Sequence, residues 1–233
     1  VGGDRDGHPL VTADTTAGML RQLRENALGI LQENLTQLAQ KLSLSRFSQA
    51  VPEMLSERID AIAAQMGASA QPALGRNPDE PWRQFVNLML ARLPMQTPDA
   101  TTYHSATELE ADLHVLHDSL VAMGAQRLAT ADVLPVLRIV QTFGFHLAVL
   151  DIRQNSSFHD RALSQLLTAG TRDGADFPDW DEARRRELLD TELTKPRPLT
   201  LATAELGHEA QAVIDVYRVA ATHIQDWGVA GLG

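Results

Sequence analysis

The sequence predicts a mainly α-helical protein of long helices with one or few strands. Apolar residues recur at spacings of three and four along most of the chain, whereas β-type alternation is confined to one stretch, residues 145–153. Hydrophobic residues make up 44% of the 233 positions, enough for a packed core and too many for a disordered chain.

Thr12 can cap a first helix that starts at Ala13 and reaches Ser43, because Leu20, Leu23, Ala27, Leu31, Leu35, Leu38 and Leu42 form one apolar stripe. Gly18 and Gly29 weaken this helix locally, so packing must hold it. A second helix runs from Pro52, a first-turn residue, to near Gly67. Residues 71–80 contain two prolines and a glycine and predict a loop. The third helix, 81–93, carries Trp82, Phe85, Val86, Met89 and Leu90 as core residues.

Residues 94–103 read as an irregular connection and divide the chain into a long-helix segment, 1–94, and a second helical segment, 95–233. Ser105 and Glu108 have capping-box spacing ahead of a helix whose stripe is Leu109, Leu113, Leu116, Leu120 and Met123, stopped by Gly124. His114 and His117, near Glu110 and Asp112, have a spacing that could hold a metal. They border the apolar stripe and lack a further ligand, so no metal site is assigned. A helix over 132–142 then leads to the alternating stretch.

In that stretch Phe145, Leu147, Val149, Asp151 and Arg153 share one face of a strand, and His146, Ala148, Leu150 and Ile152 the other. Both sets are largely apolar up to Asp151, as in a strand of a parallel sheet or barrel covered by helices. Charge appears only at its C-terminal end, where such folds collect their chemistry. Arg153 is therefore the first functional candidate, since a guanidinium fork suits a phosphate or carboxylate. The alternative is that Asp151 and Arg153 simply pair with each other.

Asn155, Ser156 and Ser157 cap a helix running to about Thr168, and residues 170–178 form a loop. The next helix is capped by Asp179, with Glu182 three residues on, and is broken by Lys195-Pro196-Arg197-Pro198. A last helix spans 202–227, with Ala212, Val213, Val216, Val219, Ala220 and Ile224 apolar. No internal repeat is visible.

With 30 acidic and 20 basic residues, the net charge of −10 argues against nucleic acid as partner. The basic run Arg184-Arg185-Arg186 lies between acidic residues and reads as a solvated helix face. No cysteine is present, which excludes a disulfide framework and thiolate metal sites. No leader and no apolar run of roughly 18 residues is visible, so no membrane is expected.

The opening residues Gly2-Gly3-Asp4-Arg5-Asp6-Gly7-His8-Pro9, the block Thr142-Phe143-Gly144 through Leu150-Asp151-Ile152-Arg153-Gln154, and the continuation Trp180, Leu188-Leu189, Glu192-Leu193 and Lys195 to Leu199 occur in that order. Together they resemble phosphoenolpyruvate carboxylase, whose pattern is GGDRDGNP, then TFG…LDIRQ, then W…L…EL-x-x-KRPL. His8 stands where the family generally has Asn and Asn155 where Glu is common, as in a divergent bacterial-type member.

The resemblance implies an internal part of a mostly helical enzyme built around a β/α barrel. The family's TAHPTE, GYSDSxKD and FHGRGG segments are not among these residues, so this chain alone is expected to be inactive. The implied activity is a lyase reaction of carbon dioxide fixation: phosphoenolpyruvate is carboxylated by bicarbonate to oxaloacetate and phosphate. Mg²⁺ or Mn²⁺ is the implied cofactor, with ligands outside this chain.

By the same resemblance Arg153 is catalytic and binds the substrate anion, with Asp151 and Gln154 beside it. Asp4, Arg5 and Asp6 form an allosteric or structural loop, Arg5 matching an activator-site arginine of plant-type members. A cytoplasmic homotetramer is implied for the full-length protein. A non-catalytic helical scaffold or regulatory module related to the family, and a stand-alone phosphate-binding protein, remain as alternatives.

Overall fold

The structure is a computed structural model that describes residues 2–6, 8, 10–96, 99–170 and 173–233. Gly7 and Pro9 of the opening motif lie outside the described residues. In chain order the helices are α1 (Ala13–Lys41), α2 (Glu53–Met66), α3 (Gln71–Gly75), α4 (Pro81–Arg92), α5 (Ala106–Ala122), α6 (Gln126–Leu128), α7 (Leu134–Phe143), α8 (Ser156–Ala169), α9 (Glu182–Leu193) and α10 (His208–Trp227). The mainly helical class expected from periodicity is the class observed. The chain forms two compact units, one of residues 21–149 and one of residues 1–20 with 150–233. The connection at 94–103, where the sequence suggests an internal division, runs within the first of these.

In the unit of residues 21–149, the leucine stripe of α1 is the first wall of the core. Leu31, Leu35, Leu38 and Leu42 are buried with Leu55 and Ile62 of α2, Trp82 and Phe85 of α4, and Leu109, Leu113, Leu116 and Leu120 of α5. The indole Nε1 of Trp82 donates to Ser119 Oγ at 3.1 Å, so the largest core side chain leaves no polar atom unsatisfied.

Among the described residues of this unit, Asp112 and Arg92 are buried charges that pair with each other. Asp112 is 0% exposed and accepts from Arg58 Nε at 2.6 Å, Arg92 Nη1 at 3.1 Å and Tyr103 Oη at 2.6 Å. The Arg92 guanidinium also stacks over the Tyr103 ring at 4.2 Å. Burial, and next the Asp112 charge, push the Tyr103 phenol well above its ordinary value of 10.0. The unfolded chain would lose this proton first as pH rises, so the contribution is complete below about pH 10 and declines above it. Thermal midpoints measured from pH 8 upward should therefore fall more steeply in the native protein than in Tyr103→Phe. Parallel curves would count against the buried phenol.

Several local expectations change. Residues 71–75 form the short helix α3 rather than a loop, continuing a 3₁₀ turn at Gly67–Ala70 with Pro72 in its first turn. Ser105 stands at the N-cap of α5 without a side-chain bond, and Glu108 Oε2 accepts instead from the His104 N–H at 3.3 Å. The helix expected from residue 132 begins at Leu134, after a π turn at Ala129–Val133. Asp181, not Asp179, caps α9, accepting from the Arg184 N–H at 2.9 Å, because Asp179 closes a preceding 3₁₀ turn. The last helix starts at His208 rather than 202.

The predicted strand over 145–153 does not form. Gly144 (φ +50) and Leu147 (φ +63) turn the backbone left-handed, and the Phe143 carbonyl accepts from the Leu147 N–H at 2.8 Å, so the chain coils after α7. Phe145 turns into the core of its unit, whereas Val149 is 59% exposed. Alternation needs a ladder partner along its whole length, and here partners exist only at its end. Among the described residues, β pairing consists of two isolated parallel bridges, Asp4 with Arg153 and Leu150 with Leu232.

Candidate active site

The unit of residues 1–20 and 150–233 joins the two motif segments that the sequence separates. The Arg153 N–H donates to the Gly3 carbonyl and the Arg5 N–H to the Arg153 carbonyl, both at 3.0 Å. On the other edge of the same segment, the Leu150 N–H donates to Gly231 O at 2.9 Å and the Gly233 N–H to Leu150 O at 3.1 Å. Glycine is required where the opening loop meets this segment. A Cβ on Gly3 would lie 2.0 Å from the Asp151 carbonyl oxygen, and Gly2, at φ +91, backs onto Met19.

The loop is held from below by the start of α1. Thr12 caps the helix, accepting from the Thr15 N–H at 3.3 Å. Thr16, fully buried, donates from Oγ1 to the Gly2 carbonyl at 2.6 Å and accepts from Arg5 Nη2. Arg5 also donates from Nη1 to the Gly3 carbonyl at 3.2 Å. Its guanidinium is thus committed to its own loop, and burial lowers its pKa. Asp4 Oδ1 accepts from the Asp6 N–H at 3.1 Å, and Asp6 Oδ1 from Asn155 Nδ2 at 3.4 Å.

Beyond the bridge, Asn155 caps α8 as expected: its Oδ1 accepts from the Ser157 N–H at 2.9 Å and from Ser157 Oγ at 2.6 Å. Arg153 is exposed, with 66% of its side chain accessible, and its fork donates to Asp151, Nε to Oδ2 at 2.7 Å. The pairing left open by the spacing is the one observed. A cleft of about 1090 Å³ opens beside these residues, bordered by Arg5, His8, Gln154, Asn155, Arg161 and His208 among others. Arg153 and Asp151 stand next to it in sequence but do not line it.

Across the cleft, Arg161 Nε donates to Glu209 Oε1 at 3.0 Å and Gln165 Nε2 to Oε2 at 2.6 Å. The Gln165 bond is the main cause that lowers the Glu209 pKa. Phe158 meets His208 edge-on at 6.2 Å. Sequence reasoning missed Thr16, Arg161, His208 and Glu209. The four-residue step from Thr12 to Thr16 was the available signal for the first, and nothing local marks the others.

Two remaining expectations resolve differently. The arginine run of α9 is not a uniformly solvated face. Arg186 pairs outward with Glu182, but Arg185 donates from Nη1 to Asp160 Oδ2 and from Nε to the Trp180 carbonyl, both at 3.0 Å, and Arg184 stacks on Trp180 at 3.7 Å. In the unit of residues 21–149, His114 lies 3.8 Å from Glu110, and His117 contacts Asp118 at 2.8 Å. Among the described residues no three His, Asp or Glu side chains converge. Among them, too, no helix is long and apolar enough to cross a membrane.

A family model described as phosphoenolpyruvate carboxylase matches residues 1–233, the whole chain. The chain belongs to the phosphoenolpyruvate carboxylase family. Among curated relatives, it is 37% identical over 233 residues to a phosphoenolpyruvate carboxylase of Aromatoleum aromaticum, covering 94% of this chain and 24% of the relative. To that of Rhodopseudomonas palustris strain BisA53 it is 33% identical, covering 100% of this chain and 25% of the relative. To that of Azorhizobium caulinodans it is 35% identical, covering 95% and 24%. The chain spans about a quarter of the length of these relatives. In the family's terms, the GGDRDG and LDIRQ segments are neighbours bound backbone to backbone, although 149 residues separate Asp6 from Asn155.

Proposed function

We propose that these residues are part of a lyase that carboxylates phosphoenolpyruvate with bicarbonate, yielding oxaloacetate and phosphate. The observation that carries this reading is the family match along the entire chain, with relatives bearing that name. In this reaction the ester P–O bond of phosphoenolpyruvate breaks, a bicarbonate oxygen leaves its carbon and departs with the phosphorus as phosphate, and a C–C bond forms to that carbon, so negative charge moves between phosphate, carboxylate and enolate oxygens. Fixed cationic donors lower that barrier.

Arg153 is the donor assigned here. Asp151 holds one side of its fork, which limits the rotamers lost when an anion docks on the rest. Gln154, whose Oε1 accepts from the Asn155 N–H at 2.9 Å, fixes the turn that follows. The divalent cation, Mg²⁺ or Mn²⁺, belongs to ligands outside these residues, and when bound it supplies further charge to the developing anion. A cytoplasmic homotetramer accords with this reading, as does an allosteric or structural role for the loop of Asp4, Arg5 and Asp6.

In the intact protein, Arg153→Ala should lower kcat/KM for phosphoenolpyruvate by a factor of about 10² or more, as for loss of one preorganised charged donor. Near-normal steady-state kinetics would refute the assignment.

A further inference from the structure

We propose that Thr16 is a positioning residue that sets the backbone, and through it the guanidinium, of Arg153; this rests on the substrate-binding reading of Arg153. Thr16 is fully buried in the first turns of α1. Its hydroxyl proton goes to the Gly2 carbonyl at 2.6 Å in preference to the Thr12 carbonyl at 3.2 Å, and its lone pair takes the Arg5 guanidinium. Arg5 returns a bond to Gly3 O, whose carbonyl also receives the Arg153 N–H, while the Arg5 N–H closes the bridge on the Arg153 carbonyl.

Thr16 therefore reaches Arg153 by two routes, directly through the Gly2 carbonyl and through the half-buried Arg5 guanidinium, and both end on the backbone of residues 2–5 that is bonded to Arg153. The absent Cβ of Gly3 lets that backbone come within contact of Asp151, the residue that orients the Arg153 fork. Removing the Thr16 hydroxyl strands the buried Gly2 carbonyl and takes from the Arg5 fork its one side-chain acceptor, leaving it the Gly3 and Thr12 carbonyls. The opening loop then loses its anchor, and the Arg153 side chain, already two-thirds exposed, loses its fixed base.

The test uses the intact protein and two readouts: deuterium uptake of the peptide containing residues 150–153, and kinetics with phosphoenolpyruvate. Thr16→Val, which keeps shape but not the hydroxyl, should raise uptake and lower kcat/KM about tenfold, since misplacement of a catalytic group by even ~1 Å is costly. Thr16→Ser should restore both. Combining Thr16→Val with Arg153→Ala should cost nothing beyond Arg153→Ala alone. Should Thr16→Val fold poorly, Arg5→Met breaks the same chain of bonds one link later and must give the same uptake change.

Unchanged uptake in either variant overturns the linkage whatever the kinetics. A kinetic loss that multiplies with that of Arg153→Ala also overturns it, because Thr16 would then act elsewhere. Normal kinetics for Arg153→Ala alone would sink the substrate-binding reading and the positioning role with it, and the uptake result would show that the bonds themselves were intact.

Discussion

Asp112→Ala should destabilise the protein by about 3–5 kcal/mol, the cost of stripping one partner from a buried ion network. Arg92 is 3% exposed and would keep its charge with only the more distant Glu108 carboxylate, at 3.9 Å, beside it, and the Tyr103 hydroxyl would lose its acceptor in the same step. Arg58 is about one-third exposed, so water can replace its lost bond and it adds little to the penalty. The measurement is the free energy of chemical unfolding. Tyr103→Phe, which removes one bond to the same carboxylate, should cost about 2 kcal/mol and rank below it. A loss under about 1 kcal/mol for Asp112→Ala would mean that the network contributes register rather than stability.

Gly3→Ala is the second large effect. The added methyl would sit 2.0 Å from a backbone oxygen and 3.3 Å from Leu150 Cδ1, and a carbonyl in a bridged segment cannot swing away as a flexible side-chain tip could. The opening loop must lift from residues 151–153, which breaks both 3.0 Å bonds to Arg153. The expected cost is about 3 kcal/mol of local stability, with kcat/KM falling alongside. Hydrogen exchange at the Arg153 amide reads the lift directly, and full protection in the variant would show that the close approach is not made in solution. Gly18→Ala, on an exposed face of α1 where a methyl meets nothing, is the control for a generic glycine effect.

What was legible in the sequence follows from which interactions are local. The first helix, the caps at Thr12 and Asn155 and the stop at Gly124 depend on residues within one turn of each other, so spacing revealed them. The leucine stripes identified the core because burial demands one apolar face. The strand failed for the converse reason. Alternation over 145–153 records burial of some residues and extension of others, but whether a ladder forms depends on residues 3–5 and 231–233, which no window around Arg153 contains.

The candidate site divides in the same way. Motif resemblance singled out Arg153 and Arg5 separately, and only tertiary structure shows that their backbones are bonded to each other. The four-residue step from Thr12 was the one local mark of Thr16, and it does not distinguish a buried anchor from any other threonine at a helix start. Arg161 and Glu209 meet from α8 and α10, an ion pair that depends on helix packing alone.

The bridge between the opening loop and Arg153 also bears on the order of folding. It closes a loop of well over a hundred residues, and its entropic cost must be met before its two hydrogen bonds return anything. The helices on either side can form and pack from nearby contacts, so this junction is expected to close after them. The arginine assigned to the substrate would then take its resting geometry only once two chain segments far apart in sequence have met, and an assay of that geometry would report on incomplete folding.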